Sequence, residues 1–141
     1  MRAVDYLCTR EDVDASRIIV FGGSQGGGLS LLTAAIDKRI DAVVATVPAF
    51  CNNASRKDSH IAHVSRTMSY YDAALAAKFI EVPALIGVGF IDGTCRPTNV
   101  YSAYNNIKGL KRIENFYKMG HGAPPDWREI TIQWILDTIT R

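Results

Sequence analysis

The sequence lacks most of the features that assign a chain to a specialised class of protein. Only three of its 141 residues are cysteines, Cys8, Cys51 and Cys95, and their wide spacing forms neither a C-x-x-C pair nor a disulfide framework. No apolar run reaches the roughly 18 residues of a membrane helix, and none at the amino terminus precedes a small-residue cleavage site. We therefore expect a cytoplasmic protein with free thiols that does not bind membranes.

The sequence also lacks a large excess of either positive or negative charge. Lysine and arginine together number 16, aspartate and glutamate 14, and the net charge is +2. The basic residues are scattered, so nucleic acid is not an expected partner. With 48% hydrophobic and 21% charged residues, the composition is that of an ordinary globular chain, and we expect residues 1–141 to form a single domain.

What the sequence does have is a glycine-rich stretch around one serine. An apolar run over residues 18–21 predicts a buried strand, Gly22-Gly23-Ser24-Gln25-Gly26 fits G-x-S-x-G, and a mostly apolar run over residues 29–36 predicts a helix. A strand, a sharp turn with serine at its tip and a helix make up the nucleophile elbow of α/β-hydrolases. Small residues are expected there because strand and helix approach closely. The alternative is a flexible glycine-rich turn.

The rest of the chain alternates predicted strands and helices. Continuous apolar runs suit a parallel sheet that is covered on both faces, so the sequence predicts an α/β fold with a mostly parallel sheet of about four strands flanked by helices. Residues 49–67 lack periodicity and are expected to form an irregular segment near the substrate pocket. The strands are predicted over residues 18–21, 42–47, 84–91 and 112–118.

Several helix ends and faces can also be predicted. Ser69 and Asp72 resemble a capping box that opens a short helix, and Asp126 and Glu129 are placed as a cap and its reciprocal partner. The inner face of the last helix is predicted to consist of Ile132, Ile135, Leu136 and Ile139.

Three polar residues follow predicted strands in the order serine, aspartate, histidine: Ser24, Asp92 and His121. Because the carboxyl ends of parallel strands meet at one edge of a sheet, we expect these side chains to converge as a catalytic triad. Ser24 would be the nucleophile, His121 the general base and acid, and Asp92 the group that orients the imidazole. The backbone N–H of Gln25 would be an oxyanion donor. Taken singly, Asp92 and His121 could equally be turn residues.

Other assignments are weaker. Asp126, Asp72 and Asp58 are alternative acids, but none directly follows a strand. His60 and His63 have the i, i+3 spacing of metal ligands, yet no third ligand is evident nearby, so surface histidines are the favoured interpretation and no metal is expected.

Several segments of the chain together match the pattern of a known family. The matching segments are Gly22-Gly23-Ser24-Gln25-Gly26-Gly27-Gly28, Tyr71-Asp72-Ala73, Gly89-Phe90-Ile91-Asp92 with Cys95 and Pro97, Ala103-Tyr104-Asn105, and Gly120-His121. In these segments the chain resembles one family of α/β-hydrolases, the acetyl xylan esterases and cephalosporin-C deacetylases. The resemblance implies removal of acetyl groups from short xylo-oligosaccharides and similar small esters, with no metal or organic cofactor, by proteins that are often hexamers.

The chain departs from the family pattern in three ways. Arg96 replaces a common proline, and Gly122-Ala123 follows the histidine where a carboxylate is common. The resemblance covers less than half of a family member, its carboxyl-terminal part; the remainder would supply the first strands and a tyrosine whose N–H is the second oxyanion donor. We therefore expect the first strand to have an unpaired edge and the chain to form a homo-oligomer or to bind a complementing amino-terminal segment.

Three functions follow from this sequence. The first is a serine esterase that acts on small acetyl esters. The second is a catalytically impaired hydrolase that acts as an assembly or interaction domain. The third is another acyl hydrolase, such as a peptidase or a dienelactone hydrolase, although the latter uses a cysteine nucleophile and no cysteine lies at the elbow.

Overall fold

The computed structural model describes residues 2–53 and 62–140, with the side chains of residues 62–65 excepted. Among these residues, no helix combines the length and the apolar character that crossing a bilayer requires. In chain order the elements are α1 (Arg2–Leu7), β1 (Ile18–Gly23), α2 (Gln25–Ile36), β2 (Ile40–Thr46), α3 (Ala62–Tyr70), α4 (Ala73–Ala76) followed by a 3₁₀ turn (Ala77–Phe79), β3 (Ala84–Gly89), α5 (Pro97–Asn106), β4 (Lys111–Phe116) and α6 (Trp127–Ile139).

The four strands form one parallel sheet in the order β1-β2-β3-β4. This arrangement confirms the predicted α/β class and strand number. Gly23 at the end of β1 pairs with Thr46 at the end of β2, and β3 and β4 end together at Gly89 and Phe116. All four carboxyl ends therefore lie along the same edge, and the segments that leave them can meet above the sheet.

Helices cover both faces of the sheet, which explains why its two central strands, β2 and β3, are almost continuously apolar. In β2, Val43 and Ala45 face the larger core, which is completed by α2, α4 and α5. Val44 points the opposite way and packs with Phe116 and Trp127 beneath α6. The two-residue period of a strand thus sends its apolar side chains alternately into two cores.

The predicted capping box at Ser69 is wrong. Ser69 lies inside α3. The same helix contains residues 62–67, so the prediction of an irregular segment over residues 49–67 is wrong for them. Asp72 is itself the N-cap of α4, and its carboxylate accepts hydrogen bonds from the backbone of Ala74 and Leu75. The helix therefore begins at Ala73, and the tyrosines that precede Asp72 end the previous helix and its turn.

The prediction for α6 was also wrong in two respects. Asp126 occupies the N-cap position but makes no side-chain capping bond. The buried residues of the helix are Trp127 and Thr131, whereas Ile132 and Leu136 are about half exposed. Of the four residues predicted to face inward, only Ile135 packs against the core, where it joins Ile130 and Trp134.

Candidate active site

Ser24 lies at the junction of β1 and α2 in a strained backbone conformation. Its φ of 52° and ψ of −117° are unusual for a residue that has a Cβ. Its N–H donates to the carbonyl of Thr46 (2.9 Å), and its own carbonyl accepts from Ala49 (2.8 Å) and Gly28 (3.1 Å). The peptide groups on both sides of Ser24 are therefore held by β2 and the segment after it, which stabilises the strained conformation of Ser24.

The glycines around Ser24 have different roles. A Cβ on Gly22 would clash with the backbone of Gly26, and one on Gly28 would clash with the carbonyl of Ala49. These clashes confirm that strand, helix and the neighbouring loop approach closely. At Gly26, however, none of the described atoms lies within 4 Å of an added Cβ. The last glycine of the G-x-S-x-G motif is therefore not required by contacts with the residues described.

Asp92 lies just beyond the end of β3, and its side chain is fully buried. Its Oδ1 accepts hydrogen bonds from the backbone N–H groups of Thr94 (2.7 Å) and Cys95 (2.9 Å). Its own N–H donates to the carbonyl of Gly89 (3.2 Å), which closes a tight turn. These bonds fix the carboxylate and leave Oδ2 free to accept from the imidazole.

His121 lies in the loop between β4 and α6, and about a third of its side chain is exposed. Its Nδ1 is 2.8 Å from Oδ2 of Asp92, and its Nε2 is 2.8 Å from Oγ of Ser24. The loop is held against the turn after β3, because Ile91 donates to the carbonyl of Met119. A Cβ on Gly89 would clash with the carbonyl of Gly120, so this close approach requires glycine there.

The structure therefore brings Ser24, His121 and Asp92 into one hydrogen-bonded chain, although 97 positions separate the first two. With a proton on Nδ1, the imidazole donates to Asp92 and can accept the Ser24 proton at Nε2. Gln25 is the first residue of α2, so its backbone N–H is one that the helix itself does not use. It adjoins Ser24, where an oxyanion donor is needed.

Two of the alternative acids lie elsewhere in the described part of the chain. Asp72 caps α4, and Asp126 adjoins α6. Asp58, His60 and the side chain of His63 lie outside the described residues.

The cysteines provide no alternative nucleophile at the elbow. Cys51 is buried, and this burial, with the nearby Asp72 carboxylate, raises the pKa of its thiol to about 12. The thiol is therefore protonated at neutral pH and unreactive. Cys95 lies close to Asp92 and His121, and the potential ligand atoms of the three residues lie within 4.8 Å of one another. The carboxylate and the imidazole, however, already bind each other.

Thr46 and Trp127 support the site but were not predicted from the sequence. Thr46 is buried at the end of β2, and its hydroxyl accepts a hydrogen bond from the indole Nε1 of Trp127 (2.7 Å). The carbonyl of Thr46 holds the N–H of Ser24. The first turn of α6 is thus connected to Ser24 through the end of β2. No local sequence pattern indicates this connection, because Thr46 and Trp127 are 81 positions apart.

Comparison with known proteins identifies the family. Residues 1–57 and 52–138 match the sequence profile described as acetyl xylan esterase (AXE1). The chain belongs to the acetyl xylan esterase family. This family membership confirms the resemblance seen in the sequence and assigns the fold to the α/β-hydrolases.

Individual relatives agree with this assignment. Acetyl esterase Axe7A of Xylanibacter ruminicola is 38% identical over 125 residues, covering 79% of this chain and 28% of that protein. The acetyl xylan esterase from Paenibacillus sp. R4 superposes with a TM-score of 0.88 at 32% identity, over 97% of this chain and 50% of that one. Acetyl xylan esterase 1 from Thermoanaerobacterium sp. JW/SL YS485 superposes with a TM-score of 0.86 at 27% identity, again over 97% of this chain and 50% of that one. The chain thus spans half the length of these two solved relatives and 28% of Axe7A.

Proposed function

We propose that this acetyl xylan esterase family member is a serine esterase that removes acetyl groups from xylo-oligosaccharides or similar small acetyl esters. The observation that carries the proposal is the pair of 2.8 Å contacts from His121, one to Ser24 and one to Asp92. The acetyl xylan esterases among its relatives support the choice of substrate.

The first half of the reaction forms an acetyl-serine. Nε2 of His121 accepts the hydroxyl proton as Oγ of Ser24 attacks the ester carbonyl carbon, while Asp92 stabilises the imidazolium. The N–H of Gln25 donates to the oxyanion of the tetrahedral intermediate. When this intermediate collapses, the bond between the acetyl carbon and the sugar oxygen breaks, and the imidazolium gives its proton to the departing alkoxide.

The second half releases acetate. Water occupies the place of the alcohol and loses a proton to Nε2 of His121 as its oxygen attacks the acetyl carbon. The new tetrahedral intermediate expels Oγ of Ser24, which recovers its proton from the imidazolium. The strained conformation of Ser24 keeps this oxygen clear of the sheet and in contact with His121 in both halves.

The first test is hydrolysis of 4-nitrophenyl acetate by the parent chain and by Ser24→Ala. Loss of the nucleophile is expected to lower kcat/KM by at least about 10³-fold. Ser102→Ala is the matched control, because Ser102 lies on α5 and donates to the carbonyl of Asn99. Equal rates for the parent and Ser24→Ala would refute the serine mechanism, while the control is expected to retain parental activity.

The substrate class requires a separate experiment. Acetate release from acetylated xylo-oligosaccharides should exceed release of longer acyl groups from matched esters and cleavage of acyl-peptides. Preferential cleavage of acyl-peptides would instead support a peptidase, the third function considered above.

A further inference from the structure

The segment that follows β2 contains three non-glycine residues with positive φ: Val47 (41°), Phe50 (60°) and Asn52 (54°). Positive φ is uncommon for any residue with a Cβ and an outlier for a β-branched one such as Val47, so three residues with positive φ within six positions form a strained segment. We call residues 47–53 the strained turn. Such strain persists only where the surrounding contacts over-determine the backbone.

The strained turn directly supports the serine. The N–H of Ala49 donates to the carbonyl of Ser24 (2.8 Å), and the N–H of Val47 donates to Gly87 in β3 (2.8 Å). A Cβ on Gly28 would clash with Ala49 and lie 2.9 Å from the ring of Phe50, so the turn packs tightly against the first turns of α2. Any shift of this turn would therefore move the Ser24 carbonyl.

The far end of the turn is held by the buried carboxylate of Asp72, which is 4% exposed. Its Oδ2 accepts from the N–H of Asn53 (2.6 Å), and its Oδ1 accepts from the N–H of Asn52 (3.0 Å). Oδ1 also accepts from Ala74 (2.9 Å) and Leu75 (3.2 Å) at the start of α4. One carboxylate thus joins the strained turn to the helix that packs beside it.

We propose that Asp72 is a positioning residue for the nucleophile: its carboxylate clamps the strained turn, and the turn holds the Ser24 backbone through Ala49. The proposal rests on the function of Ser24 given above. A carboxylate suits this task because it has two oxygens that only accept hydrogen bonds, so it can bind several N–H groups at once. No ligand or substrate contact is assigned to Asp72.

The test is Asp72→Asn, which keeps the shape of the side chain but replaces one acceptor oxygen with an NH₂ donor. At least one backbone N–H then loses its partner, so the turn relaxes. For the folded fraction, measured by circular dichroism well below the thermal transition, kcat is expected to fall about 10- to 100-fold. KM should stay within about threefold, because the change affects the reacting serine more than substrate binding.

Two further variants separate positioning from general stability. Asp41→Asn is the matched control, because the Asp41 carboxylate also accepts a backbone N–H, that of Ile18 (2.8 Å), but at the opposite end of β2. It should keep the parental kcat. Adding Asn52→Gly to Asp72→Asn should restore much of kcat, because glycine adopts positive φ without strain. Parental kcat per folded molecule in Asp72→Asn, with only stability reduced, would overturn the proposal.

Hydrogen exchange provides a readout that does not need activity. The amides of Ser24 and Ala49 are expected to exchange at least about tenfold faster in Asp72→Asn than in the parent or in Asp41→Asn. Equal protection in all three would refute the clamp. If the parent hydrolyses no ester, the proposed esterase function fails, yet the exchange rates still decide whether Asp72 holds the serine backbone.

Discussion

The two glycines that flank Ser24 in the motif differ in what a methyl group would meet. Gly22→Ala is expected to destabilise the chain by about 1–3 kcal/mol, because its Cβ would enter the backbone of Gly26 and force strand and helix apart. The same movement would displace Ser24 from His121. Urea unfolding measures the first effect, and ester hydrolysis measures the second.

Gly26→Ala is the matched variant for stability. Its Cβ would meet none of the described atoms within 4 Å, and alanine is favoured over glycine inside a helix by roughly 0.5–1 kcal/mol. We expect a free energy of unfolding equal to or above that of the parent. Equal destabilisation by both alanines would show that the elbow is not limited by the approach of Gly22 to Gly26.

Among single residues, the sequence could predict the meeting of those that directly follow a strand. Ser24, Asp92 and His121 each follow a strand, and parallel pairing alone places such positions at one edge. Asp72 was wrongly interpreted as the partner of a Ser69 cap. Two of the four N–H groups that its carboxylate accepts belong to Asn52 and Asn53, which only the fold brings close, and the other two belong to the first turn of α4. The positive φ of Val47 and Phe50 has no sequence pattern either.

Among the elements, α2 is connected to α1 by a charged cluster at its carboxyl end. Asp37 is the C-cap residue of α2, and its side chain is largely buried. The guanidinium of Arg39 binds both the carboxylate of Asp37 (2.6 Å) and that of Asp5 in α1 (2.7 Å). The hydrogen bonds from Arg39 lower the pKa of Asp37 to about 2. Because this pKa is below the value of about 3.9 in an unfolded chain, the ionised carboxylate stabilises the folded state.

The consequence is a defined pH dependence. The contribution of Asp37 should be complete above about pH 4 and disappear as the pH falls through about 2. Asp37→Asn should therefore cost on the order of 1 kcal/mol at pH 7, and the difference from the parent should narrow towards pH 2. Urea unfolding at both pH values measures this, with Asp137→Asn as the control on α6. A difference that does not change with pH would contradict the assignment.

Element types were easier to predict from the sequence than the faces of the helices. The apolar runs of β2 and β3 follow from burial on both sides, so strand number and direction could be inferred. In α6 the apolar residues surround the helix, so periodicity could not distinguish Ile132 and Leu136, which are about half exposed, from Trp127, which is buried. Which face of α6 is buried depends on its contact with β4, where the ring centroids of Phe116 and Trp127 lie 5.1 Å apart.

For the molecule as a whole, β1 and β4 form the two edges of the sheet in the described residues. A long edge strand presents unpaired backbone groups on which another strand can build. Apolar side chains lie exposed near β1: Phe21 is 60% exposed and Leu29 of α2 is 50% exposed. Surfaces of this kind are usually covered by further protein, which is consistent with the greater length of the relatives.

We therefore expect the chain to self-associate through β1 at micromolar concentration, as measured by sedimentation velocity. Phe21→Glu should shift the distribution towards monomer, because charged side chains oppose pairing at an edge. Leu110→Glu is the control: Leu110 is 75% exposed but adjoins β4 at the other edge. A stable monomer of the parent, or dissociation caused by Leu110→Glu instead, would contradict association through β1. If self-association occurs as expected, a complementing segment that occupies the same edge should compete with it and dissolve the oligomer.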